Sequence, residues 1–331
     1  MMKTENLNLV TEWDKVYPRN EKVDHKKVTF VNHFGITLAA DMFTPKNGTE
    51  KLPAIAVSGP FGAVKEQSSG LYAQEMAARG FLTIAFDPSF TGESGGNPRY
   101  MTSSEINVED FQSAVDYLTT LDNVDSDKIG IIGICGWGGM ALQTACIDTR
   151  IKATICSTMY NMSRVACKGY FDENDNEESR YNARVQLNNQ RTEDIKNGEY
   201  KLAGGVLDPM PEDAPQFLKD YYAYYKTPRG YHKRSLNSNN GWAIQTNTSA
   251  MNIRLFEYSN EIRNAVMIVH GEKAHSCYMG KDAYNEMIKD SKYKDNKELL
   301  IVPNASHCDL YDQKNIIPFD KMEKFLKDNL K

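Results

Sequence analysis

A thiol at 135, an imidazole at 307 and a carboxylate at 272 are the groups of this chain best placed in sequence for nucleophilic chemistry. Cys135 stands in Gly133-Ile134-Cys135-Gly136-Trp137-Gly138-Gly139, after an apolar run from Lys128 to Ile132 and before a helix-like segment from Met140 to Ile147. Strand, sharp turn and helix in that order hold a nucleophile out on strained backbone above the end of a sheet. The helix N-terminus behind it presents unpaired N–H groups and partial positive charge, which favour a thiolate over a thiol. The structural alternative is a buried cysteine packed in a glycine-rich turn.

Such a nucleophile needs a base and an oxyanion site. Of six histidines, His25 and His33 lie in the N-terminal arm and first turn, and His270 ends an apolar run. His307, in Asn304-Ala305-Ser306-His307-Cys308-Asp309, follows the last apolar run, where a loop can swing over the strand ends; it is the expected general base. The loop Gly271 to Ser276 follows the penultimate strand, and its first carboxylate, Glu272, is placed to orient His307 as a triad acid does. Asp309, or no acid at all, remains open. The oxyanion donors expected are the backbone N–H of Gly136 and of Phe61 in the Ser58 to Gln67 loop, since Pro60 has none. Trp137, Tyr225, Tyr231 and Arg99 are the candidate substrate contacts, Arg99 as a carboxylate binder. The six cysteines show no paired metal spacing and the glycines no dinucleotide fingerprint, so neither metal nor cofactor is expected.

The elements that must position these groups alternate. Strands are expected at Lys27 to Asn32 and Ile36 to Phe43, as a hairpin, and at Pro53 to Ser58, Phe81 to Phe86, Ile129 to Ile134, Ile151 to Ser157, Ala265 to His270 and Glu298 to Pro303. Helical spacing falls between them: Ser69 to Arg79, Val108 to Leu121, Met140 to Ile147, Lys281 to Lys289 and Phe319 to Leu330. That rhythm specifies an α/β fold, a mostly parallel sheet flanked by helices. It stops across residues 160–258, where Glu173 to Glu178 reads as a loop or helix start and Phe217 to Tyr225 as a helix. The division expected is an arm at 1–27, a core at 28–159 and 259–331, and a helical cap at 160–258 lying over the strand ends. Tyr221, Tyr222, Tyr224, Tyr225 and Tyr231 would line that cap.

The chain has 331 residues, 40% hydrophobic and 25% charged, with net charge −5. That excludes a nucleic-acid footprint and supports an ordinary globular core. With no signal-peptide core and no long apolar run, the chain is expected in the cytoplasm, with no membrane partner; a homo-oligomer is left open.

With its elbow, its Gly-Pro-Phe-Gly loop at 59–62 and His307 in that chain order, the sequence resembles the α/β-hydrolase superfamily. It is most similar to the dienelactone-hydrolase-like branch, and there to the YcjY-like hydrolases related to polyketide transferases. Val64 to Gln67, Asp87 to Arg99, Tyr225 to His232 and Gly271 to Ser276 also carry the resemblance, over roughly residues 28–328. Two departures are Trp137, where the superfamily has glycine, and Ala274, where it places its aspartate. The resemblance implies hydrolysis of a small ester, lactone or thioester through a thioacyl-enzyme on Cys135. Acyl transfer by the same intermediate is the second expectation, and a silent binding protein on a hydrolase fold the third.

Overall fold

The computed structural model describes residues 4–46 and 51–331. Its strands are β1 (Val23–Val31), β2 (Thr37–Pro45), β3 (Leu52–Ser58), β4 (Leu82–Phe86), β5 (Val124–Ile134), β6 (Ile151–Ser157), β7 (Ala265–Gly271) and β8 (Lys297–Val302). They form one sheet in the order β1-β2-β4-β3-β5-β6-β7-β8. β1, β2 and β4 pair antiparallel and every other neighbour is parallel. The helices are α1 (Ser68–Ala77), α2 (Ser104–Thr119), α3 (Gly136–Ala145), α4 (Met162–Lys168), α5 (Glu177–Asn197), α6 (Gln216–Tyr225), α7 (Thr246–Met251), α8 (Cys277–Ile288), α9 (Asp309–Asp312) and α10 (Phe319–Asn329).

The parallel strands read as continuous apolar runs because both faces are covered. On one face Ala56, Ile84 and Ile131 pack with Phe111, Leu118 and Met140 from α2 and α3. On the other, Ile55, Ile132 and Ile155 pack with Met76, Phe325 and Leu326 from α1 and α10. No helix among the described residues is long and apolar enough to cross a membrane.

Two elements differ from expectation. The hairpin begins at Val23 rather than Lys27, so strand pairing reaches into the expected arm. β1 is an edge strand with one solvated face, which dilutes its apolar alternation. The second is α5, a 21-residue helix over a stretch expected only to start one. It buries Leu187 and Asp194 alone, so it has no apolar stripe to read. Its caps define it: the Asn176 side chain accepts the Ser179 N–H at 2.8 Å, and Gly198 closes it with φ 72°.

The segment between β6 and β7 adds no strand to the sheet. It carries α4 to α7 and lies against the carboxyl ends of the strands, where Tyr160, Tyr221 and Tyr225 surround Cys135.

Candidate active site

Every group of interest leaves the sheet at the carboxyl end of a parallel strand: Phe61 after β3, Cys135 after β5, Thr158 after β6, Ser276 after β7 and His307 after β8. Cys135 has φ 58° and ψ −126°, the strained conformation of a nucleophile elbow. Two glycines make that turn possible. A Cβ on Gly133 would meet the Trp137 carbonyl oxygen at 2.0 Å, and one on Gly136 would meet the Phe61 ring at 2.3 Å.

Cys135 opens into a chamber of about 150 Å³ walled by Tyr160, Tyr221, Tyr225, Tyr311 and Trp242. Phe61, Met162, Val165 and Trp242 also border an outer cavity of about 550 Å³. Among the described residues, neither cavity is lined by an ionisable acid or base of the Asp, Glu, Lys, Arg or His type.

Burial pushes the Cys135 thiol up to about 11. The Tyr311 hydroxyl, the Gly136 and Phe61 backbone N–H groups and the Tyr221 hydroxyl all face the sulfur and pull the other way, but desolvation wins. The helix end and the donors expected to favour a thiolate thus lower its cost without overcoming burial.

His307 is 1% exposed. Its Nδ1 lies 2.7 Å from Ser276 Oγ and 2.9 Å from Thr158 Oγ1, and its Nε2 lies 3.0 Å from the Tyr311 hydroxyl. Burial, then His275 and His270, push its basicity well below the ordinary imidazole range, so the ring is neutral at pH 7. His275 is likewise lowered to about 4 by burial. It meets the Tyr160 hydroxyl, which in turn bonds the Tyr221 hydroxyl at 2.9 Å.

The expected acid is not at the histidine. Glu272 is exposed, and its carboxylate accepts the Asn304 N–H at 2.9 Å, bracing the loop after β8. Asp309 accepts the Ser306 N–H at 2.7 Å. The partners of Nδ1 are hydroxyls, which cost far less to bury than a carboxylate. Three expected substrate contacts also lie elsewhere. Trp137 is core, edge-on to Phe86 and Phe111. Tyr231 is 46% exposed, outside the chamber. Arg99 donates to the carbonyls of Gly92 and Gly95 at 2.9 and 3.1 Å, holding its own loop. Tyr225 does line the chamber, with Tyr221. Tyr311 and Thr158 carried no expectation; the i, i+4 spacing of His307 and Tyr311 was the available signal for the first.

The loop bearing Phe61 is held on two sides. Lys65 Nζ sits among Glu93, Asp87 and Glu66 at 2.6, 2.7 and 2.8 Å. These three carboxylates converge as a cation site would, and the ammonium of Lys65 occupies that place. From the segment between β6 and β7, Asn237 Nδ2 donates to the Phe61 carbonyl at 2.6 Å and Ser235 Oγ to that of Gly62 at 2.7 Å. Arg234 ties the same segment to Glu66 and to Asp14 of the arm, each at 2.8 Å.

Residues 35–309 match the family described as X-Pro dipeptidyl-peptidase (S15 family). The chain is 51% identical over 326 residues to the protein PA2218 of Pseudomonas aeruginosa, covering 98% of this chain and 86% of that one. The crystal structure of PA2218 superposes with a TM-score of 0.93 at 49% identity, over 98% of this chain and 100% of that one. YcjY of Escherichia coli K12 is 36% identical, over 88% of this chain and 94% of its own. The α/β-hydrolase GrgF of a Penicillium species shares the fold, with a TM-score of 0.73 at 20% identity over 93% and 99% of the two chains. The sheet, the elbow and these matches agree that the chain belongs to the S15 family and is an α/β-hydrolase enzyme.

Proposed function

We propose that this enzyme hydrolyses a small, uncharged ester, lactone or thioester through a thioacyl intermediate on Cys135. The observation that carries the reading is the sulfur itself: it stands on the elbow residue with the Gly136 and Phe61 N–H groups facing it. Those donors stabilise the oxyanion of a tetrahedral intermediate, a contribution of about 3–4 kcal/mol per donor in other acyl-transfer enzymes. His307 is the base, neutral at rest and so able to take the thiol proton. Its orientation comes from Ser276 and Thr158 in place of Glu272. The S15 family is serine-based; the thiol at the elbow supports a place for this chain near the dienelactone-hydrolase-like branch. A dipeptidyl-peptidase substrate fits less well, because a buried substrate ammonium needs a carboxylate and neither cavity offers one.

The inserted segment acts as the cap. An apolar cavity of about 150 Å³ accepts a ligand the size of benzene, so the chamber suits a compact acyl group and the outer cavity holds the remainder. The second reading is acyl transfer, favoured by the chamber's aromatic walls and by the name polyketide transferase given to GrgF.

The test is mass spectrometry after rapid quenching with a p-nitrophenyl ester. An acyl adduct on the peptide bearing Cys135, absent from Cys135→Ala, is the expected result. Full turnover by a folded Cys135→Ala protein would sink the proposal. Partition of the adduct between water and added alcohol or amine separates hydrolysis from transfer.

A further inference from the structure

His307 does not reach the chamber. Its imidazole is boxed by phenol rings, edge-on to Tyr160, Tyr221 and Tyr311 at centroid distances of 5.2, 5.6 and 5.3 Å. The chamber wall on that side is made by those tyrosines, and His307 is not part of it. One hydroxyl joins both ends of the path: Tyr311 Oη bonds His307 Nε2 at 3.0 Å, and Tyr311 lines the chamber together with Cys135.

We infer that Tyr311 is a catalytic residue that relays the proton between Cys135 and His307. The inference rests on the proposed roles of Cys135 and His307. The tautomer required is the one the partners favour. With Nδ1–H donating to Ser276 or Thr158, Nε2 is left as the acceptor of the Tyr311 O–H.

In the acylation step the Cys135 S–H bond breaks and its proton goes to Tyr311 Oη, while the Tyr311 O–H proton moves to His307 Nε2. The sulfur electron pair forms the bond to the substrate carbonyl carbon, and the carbonyl π pair becomes the oxyanion facing Gly136 and Phe61. Collapse breaks the bond to the leaving group, which takes a proton from Tyr311 as Tyr311 is refilled from the imidazolium. Water then attacks the thioester, giving its proton along the same path. The sulfur leaves and recovers a proton, so Tyr311 and His307 end as they began. The two transfers occur together, because burial and the neighbouring Cys135 hold the Tyr311 phenol well above its ordinary range and exclude a standing phenolate.

The experiment compares wild type, Tyr311→Phe, Cys135→Ala and His307→Ala on a neutral p-nitrophenyl ester. Tyr311→Phe keeps the ring and removes only the relay. Its kcat is expected to fall by about 10²-fold or more, the usual worth of a positioned acid–base group, with KM nearly unchanged. The wild-type rate in mixed H₂O and D₂O should curve as two moving protons require, and Tyr311→Phe should lose that curvature. A folded Tyr311→Phe protein within threefold of wild-type kcat overturns the relay, provided the Cys135 and His307 variants are dead. If either of those two keeps wild-type turnover, the underlying assignment falls instead. Should Tyr311→Phe fail to fold, a fluorotyrosine at 311 replaces it, with the same shape and a more acidic phenol. A relay shifts the pH–rate profile there; an unshifted profile overturns it.

Discussion

The orientation of His307 by two hydroxyls instead of a carboxylate changes what the pair Cys135–His307 can be at rest. A triad acid stabilises the imidazolium directly; Ser276 and Thr158 can fix the ring but supply no charge. The resting pair is thus neutral thiol and neutral imidazole, and charge appears only as the substrate is attacked. Ser276→Ala leaves Thr158 on Nδ1 and should lower kcat by about tenfold or less. Removing both hydroxyls with Ser276→Ala/Thr158→Val should lower it by ~10²–10³-fold, in the range of a lost orienting group. Single-turnover kinetics on the pair of variants checks this, and equal losses in the single and double variants would contradict it. The elbow that holds Cys135, the proposed nucleophile, was legible because strand, glycine turn and helix have a local signature at 133–139. The third member was not, because the two hydroxyls on the histidine's Nδ1 come from loops after two other strands, β6 and β7. Glu272 was the residue of the right charge in the right loop, and its side chain turns outward to brace Asn304.

The loop after β3 is the element on which the proposed chemistry depends most. It carries the Phe61 N–H and is gripped by the buried ammonium of Lys65 from below and by Asn237 and Ser235 from above. Asn237→Ala removes the side-chain bond to the Phe61 carbonyl while leaving the Asn237 N–H on Gly62 at 3.0 Å. The donor of the oxyanion site then loses its alignment. We expect kcat/KM to drop by about 10- to 100-fold, somewhat less than deleting a donor outright, with the melting temperature little changed. Steady-state kinetics beside a thermal melt tests this; a fall in stability with kinetics intact would assign Asn237 to packing. The sequence announced the strands of the core because burial on both faces makes them uniformly apolar. It left α5 obscure because a polar helix held by its caps has no stripe to display, and the grip of Asn237 on Phe61 spans 176 residues.

At the scale of the whole molecule, burial of titratable groups sets a lower pH limit. His270 is lowered to about 3 and His275 to about 4, both chiefly by desolvation, and His307 is held well below the ordinary imidazole range by the same cause. The unfolded chain protonates these rings near the ordinary imidazole value of 6.5, and the folded chain does not. The stabilisation is therefore complete above that value and falls as pH drops below it. By linkage His270 and His275 should each forfeit about 2 kcal/mol between pH 7 and pH 5, and His307 loses stability in the same direction. Urea midpoints across that interval should fall steeply, and His270→Phe should flatten the slope by roughly one such increment. A stability profile flat from pH 7 to 5 would contradict the buried neutral assignment. The lack of sheet strands between β6 and β7 was visible as a break in rhythm, whereas the way Arg234 joins that segment to Asp14 and to the buried Glu66 was not. Charges that pair across the tertiary fold leave no periodic trace in the sequence.

Keeping the Cys135 thiol near 11 also decides what else can react with it. Peroxide attacks thiolates, and at pH 7 a thiol of that acidity is ionised about once in ten thousand molecules. On the proposed path an acyl substrate brings its own carbonyl into the oxyanion site, and the thiol proton leaves through Tyr311 only as the sulfur attacks it; an oxidant offers no such carbonyl. The enzyme should therefore turn over in peroxide concentrations that convert free glutathione to its disulfide within minutes, with the mass of the Cys135 peptide unchanged. The proposed nucleophile, ionised only as its substrate is attacked, would be shielded from sulfenic acid formation without any dedicated reductant.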